Sequence, residues 1–391
     1  MKLSARIQRV APSPTLAVTA KAKALKAAGE DIISFGAGEP DFDTPEEISL
    51  AAIEAINAGK TRYTPASGLL ELREAVAKDY KRRNRTVKAE EVIITVGGKQ
   101  ALFDATQALF DPGDKVLIPA PYWVSYPAQL HLCGAEPLFM ETGSEGDYKI
   151  SAAALEAAIA THHPRGLILC SPSNPTGATY SAEELAELAA VIEKNPELIV
   201  FFDAMYDRLY FDGEIAPDLV AQNPKIDPQV LTFNGFSKTY AMTGWRLGYA
   251  IGPAPVIKAM GTLQSQSTSN ATSFVQYGGL KALEIDDKIL NERRDAFKKR
   301  RDLILEKLAE IPHVVCPTPT GAFYVFPDFS AYLSPEGFKD DLELTDFLLT
   351  KAGVAVVPGS AFGSPGGLRL SYAMDEETIV EGVRRIKEAL L

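Results

Sequence analysis

The chain has 391 residues, 46% hydrophobic and 23% charged, enough apolar material for a sizeable core and two or three domains. Its 40 Lys and Arg against 51 Asp and Glu leave a formal net charge of −11, which argues against a nucleic-acid partner because no cationic excess is left for phosphates. Three scattered cysteines, Cys133, Cys170 and Cys316, speak against a disulfide framework and suit a reducing compartment.

The first ~45 residues are rich in loop signals. The opening MKLSARIQRVAPSP is basic but holds no apolar stretch, so it does not read as a secretory signal, and a cytoplasmic location is expected. No run approaches about 18 continuous apolar residues, so no membrane span is expected. The stretch SLAAIEAINA reads as a helix closed by Gly59. Gly59-Lys60-Thr61 is therefore not the end of a P-loop, whose first glycine would stand where Glu54 does.

From about residue 90, short apolar runs alternate with helical periodicity. The expected strands are Val92–Val96, Lys115–Pro119, Glu136–Met140, Gly166–Cys170, Leu198–Asp203, Val230–Asn234 and Leu247–Ile251. They are apolar throughout, as strands covered on both faces are. Helices lie between them; Ser181–Lys194 opens with Ser181 and Glu184 spaced as a capping box. Alternation of this kind implies a mostly parallel sheet, here of seven strands flanked by helices, with ligands beyond the strands' carboxyl ends.

After about residue 285 the pattern changes. A charged helix (Asp286–Glu310) leads to a strand (Ala322–Phe326), a helix (Asp341–Ala352), two strands (Val354–Val357 and Leu368–Tyr372) and a last helix from Asp375. The expected class is α/β, with a large domain over residues 49–285 and a smaller α/β domain over 286–391. The N-terminal segment, residues 1–48, joins the smaller one.

The strand ends carry the polar residues. Val92–Val96 runs into Gly97-Gly98-Lys99, where a following helix N-terminus favours a phosphate. Lys115–Pro119 leads to Tyr122-Trp123, and Gly166–Cys170 leads to Ser173-Asn174-Pro175-Thr176-Gly177. Asp203 ends the fifth run, with Tyr206 three residues on; Ser237, Lys238 and Arg246 follow the sixth. The four histidines, His131, His162, His163 and His313, show no metal-ligand spacing, so no metal is expected.

Ser237-Lys238 with Thr243-Gly244-Trp245-Arg246-Leu247-Gly248-Tyr249 resembles the cofactor-lysine signature of the fold-type I, pyridoxal-phosphate (PLP) dependent class I aminotransferases. The resemblance extends to Ser34 through Pro45, Tyr63-Thr64-Pro65, Ser173–Gly177, Gly321–Tyr324 and Leu368–Tyr372. Ala120-Pro121-Tyr122-Trp123-Val124-Ser125-Tyr126-Pro127 and Gly98-Lys99-Gln100 are similar to the bacterial aspartate aminotransferase branch.

The resemblance implies roles. Lys238 would hold the cofactor covalently and, once released, move the substrate's Cα proton. Asp203 would keep the ring nitrogen cationic by charge pairing. Its neighbours Asp207 and Asp212 read as solvated loop residues. Tyr206 and Asn174 would donate to the ring's phenolic oxygen, and Trp123 would stack on the ring. The amides of Gly98 and Lys99, the Ser237 hydroxyl and Arg246 would hold the phosphate. Tyr63 would reach it from a partner subunit, which implies a homodimer with shared active sites.

Arg369 would clamp the substrate's α-carboxylate, helped by the Gly38 amide and Asn174. Lys99, with hydroxyls at Ser13 and Thr15, would meet a distal carboxylate. Members that also accept prephenate carry Lys where this chain has Ala11. The expected reaction moves the amino group of L-aspartate to 2-oxoglutarate. The alternatives are a broad-specificity, aromatic or prephenate aminotransferase, and a PLP-dependent C–S lyase. A PLP-binding transcriptional regulator fits less well, because the enzyme-like pattern starts by residue ~10 and the chain is acidic.

Overall fold

Neighbouring side chains on the central strands point to opposite cores. Leu117, Leu167, Leu169, Val200 and Phe202 pack into one buried cluster, while Ile118, Ile168 and Phe201 pack into another. Period-two alternation with both faces covered explains why these runs are apolar throughout. The computed structural model describes residues 1–12, 14–334 and 337–391.

The strands in chain order are β1 (Ile33–Ser34), β2 (Val92–Thr95), β3 (Lys115–Ala120), β4 (Glu136–Glu141), β5 (Gly166–Cys170), β6 (Ile199–Asp203), β7 (Val230–Gly235), β8 (Gly248–Ile251), β9 (Tyr324–Val325), β10 (Val354–Ala355), β11 (Val357–Pro358) and β12 (Leu368–Ser371). A seven-stranded sheet has the order β2-β8-β7-β6-β5-β3-β4. Only β8 runs against its neighbours β2 and β7. The parallel register sets Cys170 beside Asp203 and Asp203 beside Phe233, so the polar residues that end β5 and β6 emerge together at the carboxyl edge.

Helices cover both faces. Gly98–Leu109 and Ala254–Ser265 bury residues in one cluster, and Ala182–Glu193 buries Leu185, Leu188 and Ile192 in the other. Ser181 closes the expected capping box: its hydroxyl accepts from the Glu184 amide at 3.2 Å, and Glu184 Oε2 accepts from the Ser181 amide at 2.7 Å.

The remaining strands build a second core around Phe297, Phe323, Tyr324 and Leu370. Antiparallel β11, β12 and β9 form one small sheet, and β1 pairs in parallel with β10. Through β1 the N-terminal segment is hydrogen-bonded to β10. Three expectations need correction. Residues 14–27 form a helix, not loop. The run Ala322–Phe326 pairs only over Tyr324–Val325. Val354–Val357 is split between two sheets, β10 with β1 and β11 with β12, because successive residues there meet different neighbours.

Candidate active site

Twelve residues singled out from the sequence line one cleft of about 670 Å³: Thr15, Gly38, Gly98, Lys99, Trp123, Asn174, Asp203, Tyr206, Ser237, Lys238, Arg246 and Arg369. They come from both parts of the molecule. Asn174 and Lys238 follow central strands and Asp203 ends one, whereas Arg369 stands on β12 and Gly38 follows β1. Two others stand apart. Tyr63 is 90% exposed and turns no surface into its own chain's cleft; Ser13 lies outside the described residues.

At one part of the cleft an anion cradle is built. The helix Gly98–Leu109 opens at Gly98, with Gly97 as its cap at φ 80°. A Cβ on Gly97 would stand 2.6 Å from Arg246 Nη2, so the absence of a side chain is what lets the guanidinium lie against the helix start. Arg246 Nη1 donates to the Thr243 carbonyl at 2.8 Å, which fixes the guanidinium. Free amides at a helix N-terminus beside a fixed guanidinium favour a phosphate dianion. Ser237 lines the same cleft.

Asp203 ends β6 and is buried. Its Oδ2 accepts from the Tyr126 hydroxyl at 2.7 Å and its Oδ1 from the Met205 amide at 3.1 Å. Burial lifts its carboxyl to about 6; the Tyr126 and Met205 donors and the charge of Lys238 oppose that rise. Asp203 is thus an anion near neutrality, with its charge poorly compensated by the protein alone.

Lys238 Nζ donates to the Gly38 carbonyl. Burial lowers its amine to about 8; Glu39 works against the shift, and Arg369, Arg246 and Lys99 add to it. An amine brought this close to neutrality is suited to nucleophilic and proton-transfer work. Lys99 is also lowered, by burial and then by Arg246. Its ammonium sits 4.9 Å from the centre of the Trp123 ring.

Arg369 is 3% exposed. Nη1 donates to Asn174 Oδ1 at 3.0 Å and Nη2 to the Gly36 carbonyl at 3.0 Å, while Nε has no protein partner. The residue lines the cleft, and a planar guanidinium fork held in place by two protein acceptors suits a carboxylate ligand. Because Asn174 accepts through Oδ1, its amide nitrogen is left to donate. Tyr206 is buried, with its hydroxyl 3.0 Å from that of Tyr324.

Sequence reasoning passed over Tyr126 and Tyr324, although both stood inside quoted motifs. It also misjudged Asp207, which is not solvated. Asp207 is 3% exposed and paired with Arg83 Nη2 at 2.6 Å. A buried carboxylate needs such a cation. Asp212 is exposed, as expected. Among the described residues no cluster could hold a metal ion, and no helix is long and apolar enough to cross a membrane.

The sequence model of the family described as "Aminotransferase class I and II" matches residues 30–386. The chain belongs to the class I and II aminotransferases. Like this family it is a PLP-dependent enzyme. An aspartate aminotransferase of Bacillus subtilis is 45% identical, over 99% of this chain and 98% of that one. An aspartate/prephenate aminotransferase of Cereibacter sphaeroides is 46% identical, over 98% of each. Among solved structures, the aspartate aminotransferase of Rhizobium meliloti superposes with a TM-score of 0.95 at 40% identity, covering 100% and 99% of the two chains. That of Thermus thermophilus with maleate gives 0.93 at 41% identity, covering 100% of both.

The aminotransferase cleft fits PLP on its donor set: a phosphate cradle, a buried carboxylate and a depressed lysine amine share one cavity.

Proposed function

We propose that this aminotransferase moves the amino group of L-aspartate to 2-oxoglutarate, giving oxaloacetate and L-glutamate. The observation that carries the reading is that the buried Arg369, on the smaller part, and Lys99, at the start of the helix Gly98–Leu109, line one cleft. Two cations suit a substrate with two carboxylates. The related Thermus thermophilus enzyme was solved with maleate, a dicarboxylate.

Bound PLP supplies an electron sink for the charge left at the substrate's Cα. In our reading Lys238 would hold the cofactor, and its freed amine would move the proton from the substrate's Cα to the cofactor's C4′. Asp203 pairs with the ring nitrogen. Tyr206 and the amide nitrogen of Asn174 donate to the ring's phenolic oxygen, and Trp123 covers one ring face. Gly98, Lys99, Ser237 and Arg246 hold the phosphate. Arg369, Gly38 and Asn174 orient the α-carboxylate, while Lys99 and Thr15 meet the distal one.

The same reading includes a homodimer. Tyr63 projects outward, and Leu50, Ile53 and Ile56 expose an apolar stripe on the helix Glu46–Asn57, the kind of surface a second copy covers. The division into residues 49–285 and 286–391, with 1–48 attached to the latter, places the substrate clamp on the smaller part, suited to closure. Free Cys133, Cys170 and Cys316 favour a cytoplasmic location.

The test is kcat/KM for aspartate, glutamate, phenylalanine, alanine and prephenate's amino product under one set of conditions. Aspartate is expected to lead. A monocarboxylic donor ahead by about tenfold or more would overturn the dicarboxylate assignment. Prephenate use, suggested by the name of the Cereibacter sphaeroides relative, would show in the same panel.

A further inference from the structure

Tyr126 stands in the helix Ser125–Cys133. It is buried, and its ring packs edge-on against Trp123 with centroids 5.5 Å apart. Its hydroxyl has two polar neighbours, Asp203 Oδ2 at 2.7 Å and the thiol of Cys170. A carboxylate is the far stronger acceptor, so the phenolic proton goes to Asp203. The Cys170 thiol is held out of that competition; burial drives its ionisation far upward, so it stays protonated. Register fixes the group: Cys170 and Asp203 are partners across β5 and β6, and Tyr126 closes over them.

We propose that Tyr126 is a positioning residue for the cofactor: its hydroxyl locks the Asp203 carboxylate in its charged form and in one orientation, so that the other oxygen is presented to the cationic ring nitrogen. This rests on the reading that Asp203 is the ring-nitrogen partner. Two donors, Tyr126 and the Met205 amide, take one oxygen each. They leave lone pairs for a third partner and no freedom for the carboxyl to rotate. A hydrogen bond to a charged group inside a protein is strong, and losing it favours the neutral acid. A proton shared between Asp203 and the ring would then shift toward the carboxylate, and the ring would lose its positive charge.

The experiment compares wild type, Tyr126→Phe and Asp203→Asn, each loaded with PLP whose ring nitrogen carries a heavy-nitrogen label. NMR reads the protonation of that nitrogen across pH, and a titration of the apoenzyme reads the PLP affinity. Phenylalanine keeps the ring that packs on Trp123, so folding is retained, and far-ultraviolet circular dichroism checks this. In Tyr126→Phe the nitrogen is expected to lose its proton about one to two pH units earlier than in wild type. PLP should bind about tenfold to a hundredfold more weakly. If Asp203→Asn removes the ring proton but Tyr126→Phe keeps the wild-type pH profile and affinity, the role of Tyr126 is overturned. If Asp203→Asn itself leaves the ring protonated as in wild type, the underlying assignment of Asp203 fails instead.

Discussion

Arg369 Nη1 and Asn174 Oδ1 meet at 3.0 Å, which ties β12 to the turn after β5 across the cleft. The contact joins residues 195 positions apart and leaves Nε of the same guanidinium without a protein partner. Lysine at 369 would keep the charge but lose the planar fork. We expect Arg369→Lys to lower kcat/KM for aspartate by about a hundredfold or more, the loss of one or two charge-assisted hydrogen bonds. PLP affinity should stay near wild type. A variant with unchanged kcat/KM would remove Arg369 from the substrate site.

Asp203 gives the cofactor-free protein a distinct pH response. Its carboxyl rises from 3.8 to about 6 through burial. The folded chain therefore keeps a proton that the unfolded chain releases between those values. Its contribution to stability is fully present below pH 3.8 and is lost as pH climbs through 6. Asp203→Asn should then make the apoenzyme more stable above pH 7, by about 1–3 kcal/mol, while weakening PLP binding. Urea unfolding of the apo forms at pH 5 and 8 checks this; an apoenzyme destabilised by the substitution at pH 8 contradicts it.

Asp104 makes a similar case away from the cleft. It is 1% exposed, lies in the helix Gly98–Leu109, and neither carboxyl oxygen has a partner. Burial lifts it to about 7. Ionising it between 3.8 and 7 costs the folded state more than the unfolded one, so stability falls over that window as pH rises. Asp104→Asn should stabilise the protein by about 1–2 kcal/mol at pH 8, with solvent screening allowed for, and by little at pH 5. Equal gains at both pH values would show that charge is not the cause.

Tyr63 offers a test of shared active sites. We expect Tyr63→Ala to bind PLP about tenfold more weakly, through loss of a hydrogen bond to a charged phosphate. At a PLP concentration that fills wild-type sites but not Tyr63→Ala sites, mixed dimers of Tyr63→Ala and Lys238→Ala subunits should recover about half of wild-type activity, because one of the two sites then has both residues intact. No recovery on mixing would mean that Tyr63 serves its own chain or none.

Much of the site could be read from the chain because of how parallel sheets are built. Strands buried on both faces must be apolar, so polar residues at or just beyond the end of such a run, as at Asp203 or Asn174, mark the sheet's carboxyl edge. The helix of residues 14–27 was missed because its Ala, Thr and Val residues give no clear apolar stripe. Ala322–Phe326 looked like a full strand on composition alone, yet only two of its residues find a ladder partner.

The amino-acid order by itself determined which residues could do chemistry: a lysine, an aspartate, two arginines and the glycines that let a backbone approach an anion. It also determined the alternation that yields a mostly parallel sheet. Only the tertiary structure decided what surrounds them. Asp207 is buried because Arg83, 124 positions earlier, comes to meet it, and Asp203 gains the Tyr126 hydroxyl from 77 positions away. Local propensity and pattern act over a few residues, whereas the burial and hydrogen bonding that set a side chain's charge come from partners brought near only by packing.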